Sequence, residues 1–269
     1  MRSMPSKWRW VAVVGGLVFG GGAAPGAEEK PELAGPYFGL KYRLIGPAAG
    51  GRVSRVAGVA GDPMTVWAAT AAGGVWKSTN GGREWKPMFD DQPVSSVGSV
   101  AVAPSDPNVV WVGSGEANIR GNVAEGNGIY RSTDGGTSWE WVWKAEGQIG
   151  AMAVHPSDPD TAYAAVLGSP FGPTRDRGVY RTVDGGKNWD RLLHLDDNTG
   201  AADVCLDESN PRILFAAMWQ ARRTPWNMTS GGPGRGLWTS NAGGGTWTRR
   251  AGTGLTEGTG CIAGGGAAQ

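Results

Sequence analysis

Residues 132–139, STDGGTSW, decide the fold, because the chain repeats them. The octad recurs as STNGGREW from Ser78 to Trp85 and as TVDGGKNW from Thr182 to Trp189, and a worn copy, SNAGGGTW, runs from Ser240 to Trp247. The closing residues Trp85, Trp139, Trp189 and Trp247 recur about every 50 residues, the mark of an architecture stacked from one supersecondary unit. Inside the octad the chemistry is that of a tight turn. The hydroxyl of Ser78, Ser132, Thr182 or Ser240 and the side chain of Asn80, Asp134 or Asp184 accept bonds from nearby backbone N–H groups. Paired glycines supply positive φ, and the tryptophan covers the hairpin. Asn80 makes the turn bonds of an aspartate, so these residues read as turn staples rather than catalytic groups. Ala242 lacks the acceptor, a loss of about 1 kcal/mol in the fourth turn.

A second marker keeps step with the first. It reads AGDP at Asp62, APSDP at Asp106, HPSDP at Asp158 and DESNP at Asn210. An apolar stretch rich in β-branched and aromatic residues follows each copy: TVWAAT, NVVWVGS, DTAYAAVLG and RILFAAMW. A shorter strand then leads into each octad: GVWKS, GIYRS, GVYRT and GLWTS. One unit is therefore strand, DP turn, strand, loop, strand, octad turn, strand. Four strands per repeat of this length is a propeller blade. The expected fold is an all-β propeller of four-stranded antiparallel blades, with about four blades in an incomplete ring. The blades are expected at about 52–90, 95–144, 148–194 and 201–250, within a repeat region 52–251. Residues 27–51 form an N-terminal segment in which YFGLKYRLIG (37–46) reads as an extra strand, and 252–269 form an irregular or truncated tail.

The composition agrees with this architecture. The chain has 47 glycines and 14 tryptophans in 269 residues, many tight turns between packed strands rather than a disordered polymer. Arg2, Lys7 and Arg9, the apolar run Trp10–Phe19 and the small residues near Ala23–Ala27 have the layout of a secretory leader, expected to occupy residues 1–26. The apolar run is short for a bilayer-spanning helix. The expectation is a secreted chain, periplasmic or extracellular, with no stable membrane span once the leader is removed. Taking three positive charges from the net +1 of the whole chain leaves about −2, with no basic stripe, which argues against a nucleic-acid partner. Cys205 and Cys261 are the only cysteines; they either pair or stand as separate thiols. His155 and His194 have no metal-ligand spacing, no nucleotide-binding motif is present, and neither a metal nor a cofactor is expected.

The octads resemble the Asp-box, or BNR, repeat of sialidases, xyloglucanase-like glycoside hydrolases, the luminal propeller of the sortilin family and a photosystem assembly factor. The longer strings GGRVSRVAGVAGDP, GGVWKSTNGG and VGSGEANIRGN resemble large bacterial secreted proteins of sortilin-like or glycosyl-hydrolase-like type. The resemblance covers about residues 37–250 and implies a propeller. Tyr42-Arg43-Leu44-Ile45-Gly46-Pro47 departs from the Arg-Ile-Pro string of sialidases, so sialidase chemistry is not implied. Propellers of this type usually have more blades, and an open arc would leave edges able to self-associate.

Strand parity puts the DP turns and octads on one face and the loops between second and third strands on the other. The first set is nearly constant in length. The second grows from Ala71–Gly74 in blade 1 to GEANIRGNVAEGN from Gly115, GSPFGPTRDRG from Gly168 and QARRTPWNMTSGGPGRG from Gln220. Length variation confined to one face marks the candidate ligand face. Its candidate binding residues are Arg52, Asn118, Arg120, Arg175, Arg222, Arg223 and Trp226, with Arg177 among the polar groups beside them. Arginine suits a carboxylate and tryptophan a sugar ring. Hydrolysis of a glycosidic bond needs two carboxyl groups, for which Glu116, Asp91 and Asp197 are the candidates. Two functions stand side by side: binding of a peptide or polysaccharide, and a xyloglucanase-like glycoside hydrolase. A fragment inactive on its own is the third reading.

Overall fold

The computed structural model describes residues 52–251. The leader, the strand expected at 37–46, the tail 252–269 and Cys261 lie outside the described residues.

The described chain is all-β. Blade 1 holds β1 (Val53–Val59), β2 (Asp62–Thr70), β3 (Val75–Ser78) and β4 (Lys86–Pro87). Blade 2 holds β5 (Val97–Ala103), β6 (Asp106–Ser114), β7 (Gly128–Ser132) and β8 (Glu140–Lys144). Blade 3 holds β9 (Gln148–His155), β10 (Asp158–Gly168), β11 (Gly178–Thr182) and β12 (Asp190–Leu193). Blade 4 holds β13 (Thr199–Leu206), β14 (Leu214–Arg223), β15 (Met228–Ser240) and β16 (Thr248–Arg250). Each sheet is antiparallel and follows chain order. This is an incomplete β-propeller of four blades, as the repeat predicts. Val56 on β1 is 63% exposed.

The octads make one hydrogen-bond pattern. Ser132 Oγ donates to Asp134 Oδ1 at 2.8 Å and accepts from Gly136 N at 2.8 Å, and Asp134 Oδ1 accepts from Ser138 N at 2.9 Å. Thr182, Asp184, Gly186 and Asn188 repeat it, as do Ser78, Asn80, Gly82 and Glu84. Around Ala242 only the Ser240 hydroxyl remains, accepting from Gly244 N at 2.9 Å. Each octad also bonds a DP turn: Gly81 N to Met64 O, Gly135 N to Asn108 O, Gly185 N to Asp160 O and Gly243 N to Arg212 O, all at 2.8–3.0 Å. The two kinds of turn therefore share a face.

These bonds hold the Asp134 and Asp184 carboxyls down at about 2. For Asp134 the Ser138 hydroxyl contributes most, and for Asp184 the Asn188 side-chain amide. A depressed carboxyl stabilises the fold fully above its unfolded value of about 4, and that contribution is lost as pH falls toward 2. A carboxyl-detected NMR titration is expected to give midpoints near 2 for both residues, with the melting temperature dropping across the same window. Midpoints near 4 would show that the turns do not form these bonds.

The blades pack through aromatic residues and through bare backbone. Trp67 and Trp111, on equivalent positions of β2 and β6, are fully buried. Trp111 lies edge-on to Trp189 at 6.0 Å between blades 2 and 3. On the inner strands, a Cβ added at Gly150 would stand 2.2 Å from Ala202 O of the next blade, so glycine lets β9 and β13 touch. Arg55 of β1 donates to Gly150 O at 3.0 Å and to Asp203 Oδ1 at 3.1 Å, tying blade 1 to blades 3 and 4 at the centre.

Candidate functional site

The loops of blades 2, 3 and 4 form one connected surface. Ala117 and Ile119 of the blade 2 loop pack with Leu167 of blade 3 and with Trp219, Ala221 and Met228 of blade 4. Ser169 Oγ donates to Glu125, and Arg223 N donates to Pro170 O at 2.6 Å. A chain of apolar and polar contacts thus runs across three blades.

At its blade 1 end sits Glu116. The residue lies two positions after the end of β6, is 0% exposed, and its N–H donates to Ser96 Oγ at 3.1 Å. Oε1 is ion-paired with Arg52, and Oε2 accepts from Arg120 Nε at 3.0 Å. Arg52 also donates to Asn118 O at 3.1 Å, and Arg120 to Asn122 Oδ1. The Asn118 contribution is its carbonyl. The side chains of Arg52 and Arg120 are 50% and 32% exposed. One buried carboxylate therefore holds two half-exposed guanidiniums in a fixed orientation, with a net local charge of about +1. Both carboxylate oxygens of Glu116 thus face arginines, one from blade 1 and one from its own loop.

The other candidates sit as follows. Arg223, half-buried on β14, comes close to the blade 2 loop, since a Cβ at Gly121 would be 3.4 Å from its Nη2. Arg222 is exposed beside it. Trp226 is 85% exposed at the tip of a turn closed by Thr224 N donating to Asn227 O at 2.8 Å. Arg175 is exposed, and its carbonyl accepts from Arg191 at 2.8 Å. Asp91 is exposed between β4 and β5. Asp197 lies 3.7 Å from His194 Nε2, and its carbonyl accepts from Thr174 N at 2.9 Å. Among the described residues no group of three acidic, histidine or cysteine side chains is placed to hold a metal.

Two features depart from the sequence reading. The stretch 220–236, read as a loop, is a long hairpin: β14 and β15 stay paired out to Arg223 and Met228. Two-residue alternation is obscured there by glycine and proline, yet Gln220 still pairs with Gly231. Arg177, read as a group of the ligand face, is buried and staples its own loop. Its guanidinium donates to Leu167 O, Ser169 O and Gly172 O. Burial pulls it down to about 10, opposed by Asp196 and Asp197, so it remains charged at neutral pH.

No protein-family model matches the sequence, and no curated protein sequence matches it. Solved structures do. An ancestral GH74 enzyme aligns at 25% identity and a TM-score of 0.59 over 78% of this chain and 25% of its own. The GH74 xyloglucanase from Xanthomonas campestris aligns at 21% identity and TM-score 0.54, over 77% of this chain and 31% of its own. The GH74 enzyme of Niastella koreensis aligns at 21% and 0.55, over 73% and 30%. The chain spans about a quarter to a third of the length of these proteins. Its blades have the β-propeller fold and resemble those of glycoside hydrolases of this kind.

Proposed function

We propose that this chain is a secreted Asp-box propeller segment of sortilin-like or glycosyl-hydrolase-like type, and that its long-loop face binds a polysaccharide or peptide. The observation that carries the reading is the Arg52–Glu116–Arg120 cluster on loops knitted across three blades. A fixed pair of guanidiniums suits a carboxylate, or the hydroxyls of a sugar. Arg222, Arg223 and the exposed indole of Trp226 extend the same face. Glu116 acts through the arginines as a positioning residue.

Hydrolysis is the second reading, favoured by the 25% identity to an ancestral GH74 enzyme. It requires an acid and a second carboxylate flanking the bond, with Glu116, Asp91 and Asp197 as its candidates. Titration calorimetry of the full chain against xyloglucan oligosaccharides and acidic and neutral peptides, with reducing-end release measured in parallel, separates the two. Binding is expected without release. Glu116→Gln should weaken binding by about tenfold and cost about 2 kcal/mol of stability, because the carboxylate charge and one of its two acceptor oxygens are lost while solvent screens the guanidiniums. Release that disappears in Asp91→Asn or Asp197→Asn would establish the hydrolase instead. Binding unchanged in Glu116→Gln and Arg120→Ala would remove the long-loop face from the account.

A further inference from the structure

The repeat supplies an internal comparison that singles out blade 1. In blade 2, Arg131 on the third strand faces Glu140 across the ladder and pairs with Asp160 of blade 3. In blade 3, Arg181 faces Asp190 and pairs with it. Blade 1 has a basic residue at the same place, Lys77, but the residue opposite it is Lys86. The cross-blade position equivalent to Asp160, two residues after the DP aspartate, is the neutral Asn108. Both acidic partners are thus replaced, one of them by a second cation. Among the described residues no carboxylate is ion-paired with either lysine. Lys77 Nζ donates to Gly135 O at 3.1 Å and sits 4.7 Å from the Trp67 ring centroid. Burial, then the charge of Lys86, pull its ammonium down from the ordinary lysine value. Like charges directly opposite in a ladder are unfavourable, and here they sit on the wall of a groove.

The groove lies between the octads of blades 1 and 2 and has a volume of about 660 Å³. Trp85 forms part of its lining, is 40% exposed, and is held by its Nε1 donating to Gly82 O at 3.0 Å. Its counterparts are less available: Trp139 donates to Met88 O, and Trp189 stacks on Trp143 at 5.5 Å. The side chains of Thr79, Asn108 and Thr137 add hydrogen-bonding groups. The two acidic groups of the groove are already engaged. Glu84 accepts from Asn80 Nδ2 at 3.2 Å, and Asp134 accepts from Ser132 and Ser138. Neither carboxylate is ion-paired with Lys77 or Lys86, so two neighbouring ammoniums without an ion-pair partner stand beside the open indole face of Trp85.

We propose that this groove is a binding site for an acidic saccharide, with a carboxylate between Lys77 and Lys86 and the sugar ring on Trp85. Ammonium groups meet the charge, the indole covers the C–H face of the ring, and the threonine and asparagine side chains meet hydroxyls. The site is on the octad face, so it is separate from the long-loop face.

Titration calorimetry of the full chain with trigalacturonate tests it, with neutral galactotriose and hexaglutamate as comparison probes. Trigalacturonate is expected to bind, and more tightly than either comparison probe. Lys86→Glu, which gives blade 1 the charge pattern of blade 2, should weaken binding by at least about tenfold without lowering the melting temperature. Trp85→Ala should weaken it similarly. Galactotriose binding as well as trigalacturonate, or Lys86→Glu leaving affinity unchanged, would overturn the proposal. Hexaglutamate binding equally, with Trp85→Ala silent, would make the site a peptide site and also overturn it. If Arg120→Ala removes trigalacturonate binding and Lys86→Glu does not, the anion belongs to the long-loop face and the groove proposal fails.

Discussion

Replacing Trp111 by alanine is expected to lower stability by about 4 kcal/mol, the range for emptying a large aromatic site. The side chain is fully buried on β6 and has three partners, the first two of them in blade 3. Its ring meets Trp189 edge-on, its Nε1 donates to Pro159 O at 3.3 Å, and Arg131 lies over it at 5.2 Å. The surrounding residues come from two different sheets, so they cannot collapse into the space without separating the blades. Because domains are stable by only about 5–15 kcal/mol, the loss should be plain in urea denaturation, with the midpoint moved well down at similar slope. A change under about 1 kcal/mol would mean that the blades are not held together through this ring.

Gly98→Ala is expected to cost about 3 kcal/mol, for the opposite reason. A Cβ there would fall 2.3 Å from Gly115 O and 2.3 Å from Ile149 O. Both obstacles are backbone, so no side-chain rotation relieves them. Gly115 immediately precedes Glu116, so the variant should also disturb the Arg52–Glu116–Arg120 cluster and weaken ligand binding on that face. Gly58→Ala is the matched control. It too lies on an inner strand, but a Cβ there meets nothing within 4 Å, so it should be neutral or stabilise by about 0.5 kcal/mol. Equal behaviour of the two variants in urea denaturation would refute the close-approach argument.

The blades were readable from the sequence because two turn chemistries repeat with a fixed spacing. Each octad and each DP turn announces itself by residue type, and together they bracket all four strands of a unit. The burial of Trp67 and Trp111 follows from their place in apolar second strands. Local patterns could not show what depends on distant partners. The two guanidiniums that hold Glu116 include Arg52, from the preceding blade, and only the packing of blade 1 against blade 2 brings them together. Arg177 looks like a surface arginine in a polar loop, yet the loop folds back so that three carbonyls surround it. The extension of β14 and β15 was hidden because Gly231, Gly232 and Pro233 look like loop residues. Gly231 pairs with Gln220, where the absence of a side chain is tolerated on a hairpin arm. The Lys77–Lys86 pair was open to reading, since aligning GVWKS with GIYRS and GVYRT puts Lys77 over Arg131 and Arg181. Knowing that Lys86 lies directly opposite required the strand register.

Ligand is proposed to bind on the long-loop face. Hydrogen–deuterium exchange of the full chain, with and without an oligosaccharide or peptide that binds in the calorimetric panel, tests it most directly. Slowed exchange is expected in 115–127, 168–177 and 220–236, lost in Glu116→Gln, with the octads around Asp184 and Ala242 unchanged. Protection confined to the octad and DP turns, with those three segments unaffected, would contradict it.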